Sequence, residues 1–333
     1  MPERAEHIVL SRTDSIGDVM LTLPMADLIK KRFPNAYITF LGRAYTVPIL
    51  ERCAHIDNIL TLEQLTLNSD RGAIETLRRL HIDAFIHVFP VRRIARWAAH
   101  AGIPHRIGTS HRWWHWLNCN HRIAFSRKNS DLHEAQLNTR LLAPFGITDQ
   151  LGTTELAAYA GFFATPLDPE LRHFIRPDKK NVILHPHSSG SAVEWDLDRY
   201  SELIRLLHPA HFNIIVTGTA LEAERYRTKL QLNRSNVTDV GGQLDLQQLI
   251  GLINACDALV AASTGPLHIA AACGIRAIGL YANARPIHPG RWAPVGKDPH
   301  ALFEDDVAED ADLQTRINAI RADKIMRLLE EML

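Results

Sequence analysis

The sequence is poor in cysteine and lacks any long apolar run. Only four cysteines occur in 333 residues, Cys53, Cys119, Cys256 and Cys273, with no C-x-x-C pair and no histidines at zinc spacing. This excludes a disulfide scaffold and a zinc-ribbon module, and implies reduced thiols. No stretch of about twenty uncharged apolar residues is present, and the first ten residues show no basic segment leading into an apolar run. The expectation is a cytoplasmic chain that neither spans a membrane nor carries an export signal. Net charge is missing too: 37 Lys and Arg balance 37 Asp and Glu, which argues against a generic nucleic-acid binder if the balance holds locally. Nor is there a Walker loop, or a G-x-G-x-x-G behind the first apolar run. Their absence disfavours kinases, ATPases and nicotinamide dehydrogenases.

What is present is alternation. "HIVLS", "YITFLG" and "DAFIHVF" are separated by the amphipathic stretches 17–33 and 44–54, and the third is followed by another at 91–101, the signature of right-handed β-α-β units in a parallel sheet. The proline- and charge-rich "TPLDPELRHFIRPDKKN" then reads as a connector. A second series follows: "NVILHPH", a helix near 198–208, "FNIIVTG", a helix near 220–232, "DALVAAS", a helix near 265–273, and "RAIGLYA". Leu313, Ile317, Ile320, Ile325, Leu328 and Leu329 fall at helical spacing and predict one closing helix over 312–332. The fold class is therefore α/β: two Rossmann-like, doubly wound domains, 1–170 and 175–333, facing across a cleft, with the closing helix free to pack back on the first. Hydrophobic content of 46% suffices for a core in each.

Two strand–turn–helix junctions carry chemistry. In "SRTDSIGDVMLTLP", Asp18 lies in a first helical turn, where free amides would otherwise hold a phosphate. A helix cap explains a carboxylate there, and so does a general base kept ionised by the helix dipole; the segment by itself favours the cap. In "DALVAASTGPLHIAAACG", Ser263, Thr264 and Gly265 separate a buried strand from a helix, so outward N–H groups suit an anion, and Pro266 fits the first turn. His268, one turn in, reaches the same anion or is simply a satisfied buried histidine. Ser188 and Ser189 in "ILHPHSSGSAVEW" offer hydroxyls and amides to the same ligand. Asp196 and Asp198 form a D-x-D that reads as a helix start rather than a metal site.

The charge balance is not local. From Ala84 to Ser130 there is no Asp or Glu, yet Arg92, Arg93, Arg96, Arg106, Arg112, Arg122, Arg127 and Lys128 fall there, with His87, His100, His105, His111, His115 and His121. "HRWWHWLNCNHR" interleaves Trp113, Trp114 and Trp116 among them. Such a face suits a phosphorylated glycolipid at an anionic membrane surface; nucleic acid held by stacking is the alternative. Taken singly, the tryptophans are expected in the core.

"RTDSIGDVMLTLP", "TGTALEAER", "LVAASTGPLHIAAACGIRAIGLY" and "PIHPGRWAPVG", in this order and spacing, together resemble glycosyltransferase family nine, the ADP-heptose:lipopolysaccharide heptosyltransferases. The resemblance implies a GT-B fold, acceptor bound by the first domain and nucleotide-sugar donor by the second, and inversion at the anomeric carbon. It also implies no metal or other cofactor, and by default an ADP-linked heptose moved to a lipopolysaccharide-core or related anionic glycolipid. The expected setting is a monomer at the cytoplasmic surface of the inner membrane, with no nucleic-acid partner. By the same resemblance Asp18 is the general base, Thr264, Gly265 and His268 meet the donor diphosphate, and Glu222, or Glu224 after it, meets the donor ribose. Ser188, Ser189 and Ser263 complete the expected donor site; Arg12, Arg92, Arg93 and Arg112 are expected at the acceptor. Two positions depart from the family: Ser263 stands where Asp is common, and Val193 where many members place a cation facing the diphosphate. Arg12, Arg285 and Arg291 are the candidates to replace that charge, which stabilises a leaving group. A nucleotide-sugar-binding protein with impaired catalysis is therefore the second reading.

Overall fold

The computed structural model describes residues 6–333 except 68, 129, 189 and 309. The chain divides into two compact units, one up to Phe163 and one from Ala164, so the division precedes the connector itself.

In the first unit, β1 (His7–Ser11), β2 (Tyr37–Gly42), β3 (Asn58–Thr61), β4 (Ala84–His87), β5 (His105–Thr109) and β6 (His121–Ile123) form one sheet in the order β3-β2-β1-β4-β5-β6. All pairings are parallel. The central strands are continuous apolar runs because helices cover both faces; Val9, Leu41 and Phe85 pack with Ile94 and Trp97 in one core cluster. The expected helix over 17–33 is broken into Ile16–Met20 and Pro24–Arg32. Pro24 has no N–H to continue the first helix and instead opens the second.

The second unit repeats the plan with β7 (Lys180–His185), β8 (Phe212–Val216), β9 (Val237–Asp239), β10 (Ala258–Ala262), β11 (Arg276–Leu280) and β12 (Pro299–Leu302), ordered β12-β11-β10-β7-β8-β9. Counted from the first strand of each unit the two orders are the same, and the direction of winding reverses between β1 and β4 and between β7 and β10. In open sheets of this kind, ligands sit outside the carboxyl ends of the strands at that reversal. The segments with suspected chemistry leave β1, β7 and β10 at those ends.

The closing segment is two helices, Leu313–Asn318 and Ala322–Glu330. Between them the carbonyl of Ile320 accepts a bond from the indole N–H of Trp195 at 3.1 Å. Ile325 and Leu329 are fully buried with Trp195 and Tyr200 in the second unit's own core. No helix among the described residues is long and apolar enough to cross a membrane. If the last helix is a structural part of this core, Ile325→Ala should lower unfolding stability by about 2–5 kcal/mol. Urea denaturation measures the loss, and a change below about 0.5 kcal/mol would refute the assignment.

Candidate active site

At the end of β1, Arg12 is buried, 3% exposed, and its guanidinium meets four partners. Nε donates to Asp14 at 2.8 Å, one terminal nitrogen to Glu134 at 3.1 Å and Asn138 at 3.2 Å, and the other to Asp18. Glu134 and Asn138 are fully buried on the helix Glu134–Thr139. Glu134 also accepts from Arg127 at 2.8 Å. Two guanidiniums thus serve three carboxylates. Burial pushes the Asp14 carboxyl up, against the pull of Arg12. Arg12, expected to face an acceptor or a diphosphate, is committed instead to this internal cluster. Two of its partners went unseen in the sequence because Glu134 and Asn138 are 122 and 126 residues away.

Asp18 is not a cap. The short helix Ile16–Met20 has Ser15 at its N-cap with no side-chain cap bond. Asp18 instead accepts from Arg12 and from the Ser15 hydroxyl. Both carboxylate oxygens are oriented by side chains, and the side chain is 16% exposed. This is a held but reachable carboxylate in a first helical turn, where the dipole favours negative charge.

In the second unit, the helix Gly265–Cys273 starts directly behind β10 with Thr264 at its N-cap. Thr219 and Asp245 cap their own helices with side-chain oxygens. Thr264 does not: its Oγ1 is buried with no partner among the described residues. A threonine hydroxyl and a helix N-terminus in one place form an anion-binding arrangement. Ser263 is half-buried beside it, and its carbonyl accepts from Ser191 at 3.4 Å. His268 is buried in the helix.

The loop after β7 is more self-contained than expected. Glu194 accepts from Nδ1 of His187 at 2.8 Å, and from the Ser188 amide at 2.7 Å and hydroxyl at 3.0 Å. Burial raises the Glu194 carboxyl, but these bonds overcome it and hold it below the usual range. The Ser188 hydroxyl is turned into its own loop, and Ser189 lies outside the described residues. Val193 packs against the core. Glu222 closes a capping box with Thr219, its carboxylate on the Thr219 amide at 2.8 Å. That local role explains the spacing T-x-x-E without any ribose. Asp196 and Asp198 open the helix Leu197–Leu206. Arg285 and Arg291 follow β11, the neighbour of β10.

The sequence pattern of glycosyltransferase family 9 (heptosyltransferase) matches residues 74–315, well over half of the chain. The protein belongs to glycosyltransferase family 9. A Haemophilus influenzae chain named only as a glycosyltransferase is 28% identical over 308 residues, 90% of this chain and 89% of its own. The lipopolysaccharide core heptosyltransferase OpsX of the same organism is 24% identical over 310 residues, 88% of this chain and 82% of its own. The structure of Escherichia coli ADP-heptose lps heptosyltransferase II superposes with a TM-score of 0.76 at 18% identity, covering 98% of each chain. The two sheets are the GT-B architecture.

In this glycosyltransferase the basic stretch is more selective than its composition. Asp70, outside the stretch, pairs with Arg93 at 2.8 Å and also with Arg96, so Arg93 is not the open acceptor ligand expected. His87 and His115 are buried, and burial pushes both imidazoles down, so they add no charge at neutral pH. Among the described residues Arg92, Arg112 and Arg122 have no carboxylate partner; they lie over Trp113, Trp114 and Trp116 at 4.7, 5.6 and 4.7 Å. Trp113 and Trp116 stand in solvent rather than in the core. The helix Trp113–Asn118 has one inward position, filled by His115 against Gly108, with its Nδ1 on the Thr109 carbonyl at 2.9 Å.

Two outcomes follow. Arg12→Ala takes one of two guanidiniums from a cluster of three carboxylates, leaving Arg127 alone to balance buried Glu134, and should destabilise the first unit by about 3 kcal/mol, with part restored by adding Glu134→Gln; denaturant unfolding of both variants checks this. In the second unit, burial pushes His185 down to about 4, while Thr217 holds its Nδ1 at 2.9 Å. The folded state therefore binds this proton more weakly than the unfolded state. The stability is fully present above pH about 6.5 and is lost as pH falls toward 4, about 3 kcal/mol in all. His185→Gln should flatten that part of the urea-midpoint profile, and an unchanged slope would sink the assignment.

Proposed function

We propose that this protein moves a sugar, by default a heptose, with inversion from an ADP-linked donor to a lipopolysaccharide-core or related anionic glycolipid. The observation that carries the reading is Asp18, a carboxylate held by Arg12 and Ser15 at the winding reversal of its sheet and left partly open. The similarity to a lipopolysaccharide core heptosyltransferase and to an ADP-heptose lps heptosyltransferase supports the donor and acceptor classes. Asp18 takes the proton from the acceptor hydroxyl as its oxygen bonds to the anomeric carbon. The bond from that carbon to the phosphate oxygen breaks, and ADP leaves with the electron pair. Its charge is met by Thr264 and the amides opening the helix Gly265–Cys273, with Arg285 and Arg291, from the segment behind β11, as the guanidinium candidates. We assign Glu222 or Glu224 to the ribose, and Ser263 and His268 to the diphosphate. Transfer needs no divalent ion and runs in a monomer peripheral to the membrane.

Asp18→Asn should lower the transfer rate at least roughly 100-fold while leaving the thermal shift induced by ADP intact. Thr264→Ala should weaken that shift. Measured rates in EDTA should equal those without it. A full rate in Asp18→Asn would overturn the assignment of the base. Donor binding without turnover in the unaltered protein would favour the impaired-catalysis reading, for which Val193 in place of a cation is the motive.

A further inference from the structure

The helix Trp113–Asn118 has an unusual outer face. Trp113 is 57% exposed, Trp116 60% and Leu117 76%, at spacings of three and four that put them on one side of a helix. Large apolar groups clustered in this way mark an interaction surface rather than a face that meets only water. The cations around it are held in place: Arg92 over Trp113 and Arg122 over Trp116, each 4.7 Å from the ring centre. The Trp116 indole N–H is already satisfied by the Ser110 carbonyl at 3.0 Å, so this ring can leave water without stranding a donor. Beside it opens a groove of about 850 Å³, walled by Ser110, Trp116, His121, Arg122 and Pro144. No acidic residue occurs between Ala84 and Ser130 to repel an anion.

We propose that this helix is a membrane-docking surface: Trp113, Trp116 and Leu117 enter the headgroup boundary of an anionic bilayer, while Arg92, Arg112 and Arg122 take the lipid phosphates. Tryptophan rings favour that boundary, and guanidiniums stacked on their faces sit at the depth of the phosphates. With six residues the helix inserts only shallowly, so the apolar and ionic contributions are both required. The groove leaves room for a head group beside Arg122. The inference deepens the glycolipid reading and rests on it for its purpose, since it names the surface that brings the protein to a membrane-borne acceptor.

The test is co-sedimentation of the full-length protein with sucrose-loaded vesicles of phosphatidylethanolamine and phosphatidylglycerol, and with phosphatidylcholine vesicles, at low and high salt. No acceptor is present, so failure here is distinct from failure of the transfer reading, which is assayed on a water-soluble deacylated acceptor. Binding to the anionic vesicles is expected. It should fall at least roughly tenfold in Trp113→Ser/Trp116→Ser/Leu117→Ser and severalfold in Arg122→Gln or at high salt. The triple variant should keep the ADP thermal shift and the rate on the soluble acceptor, which shows that it folds. Equal binding by the variant, or none by the unaltered protein, overturns the proposal. So does tighter capture of a single-stranded oligonucleotide than of vesicles, or a concentration-dependent dimer lost in the variant.

Discussion

The first unit depends on satisfying one buried guanidinium. Arg12 is nearly sealed from water, and a charge so placed is tolerable only when paired and hydrogen-bonded throughout. Its planar fork can address Asp14, Asp18, Glu134 and Asn138 at once, which a lysine ammonium could not do with the same fixed directions. Asn138 passes the constraint on by donating to the Leu21 carbonyl at 3.1 Å. The turn after the Asp18 helix, the end of β1 and the helix Glu134–Thr139 are therefore one connected piece. The position of the proposed base is a consequence of that network, not of its own short helix.

The second unit uses the same winding for the opposite electrostatics. Where the first gathers carboxylates at the end of β1, the second ends β10 in a hydroxyl with no partner among the described residues, small residues and a helix start with no side-chain cap bond. The first arrangement suits accepting a proton from a neutral hydroxyl. The second suits receiving an anion as it departs. A single-displacement sugar transfer needs both, and the equivalent strand order of the two sheets lets each be built at a winding reversal by changing only the loops.

Much of this was legible in the sequence where the signal was local. The central strands β1, β2, β4, β7, β8, β10 and β11 are apolar runs, and the helix Gly265–Cys273 begins and ends where Pro266 and Gly274 indicate. The strands that escaped, β3, β5, β6, β9 and β12, are short, polar and at or near sheet edges, where no alternation is imposed. The closing helix split for a tertiary reason, the Trp195 bond at Ile320. Site residues followed the same rule. The strand–helix junction at Thr264 was readable, whereas Asp18 looked like a cap because its decisive neighbour Arg12 is positioned through Glu134 and Asn138 far along the chain. Glu222 was readable as acidic, but its capping box with Thr219 is an equally local explanation of the same letters. The basic stretch was legible as composition only, since Asp70 neutralises part of it from a preceding helix.

Two fields of opposite sign leave the same edge of the first sheet. The carboxylate cluster follows β1, and the arginine–tryptophan surface follows β4 and β5. β4 adjoins β1, and β4 alone separates β1 from β5, so the loop leading to Arg92 starts about 5 Å, and the loop leading to Arg112 about 10 Å, of strand spacing from the end of β1. The three carboxylates of the cluster are balanced in part by Arg12 and Arg127, so a phosphate gains nothing there, whereas Arg92 and Arg112, with no carboxylate partner among the described residues, attract one. The first unit thus keeps a phosphate-attracting surface apart from the carboxylate that the proposed mechanism uses as its base, and both are built from loops on one end of a single sheet.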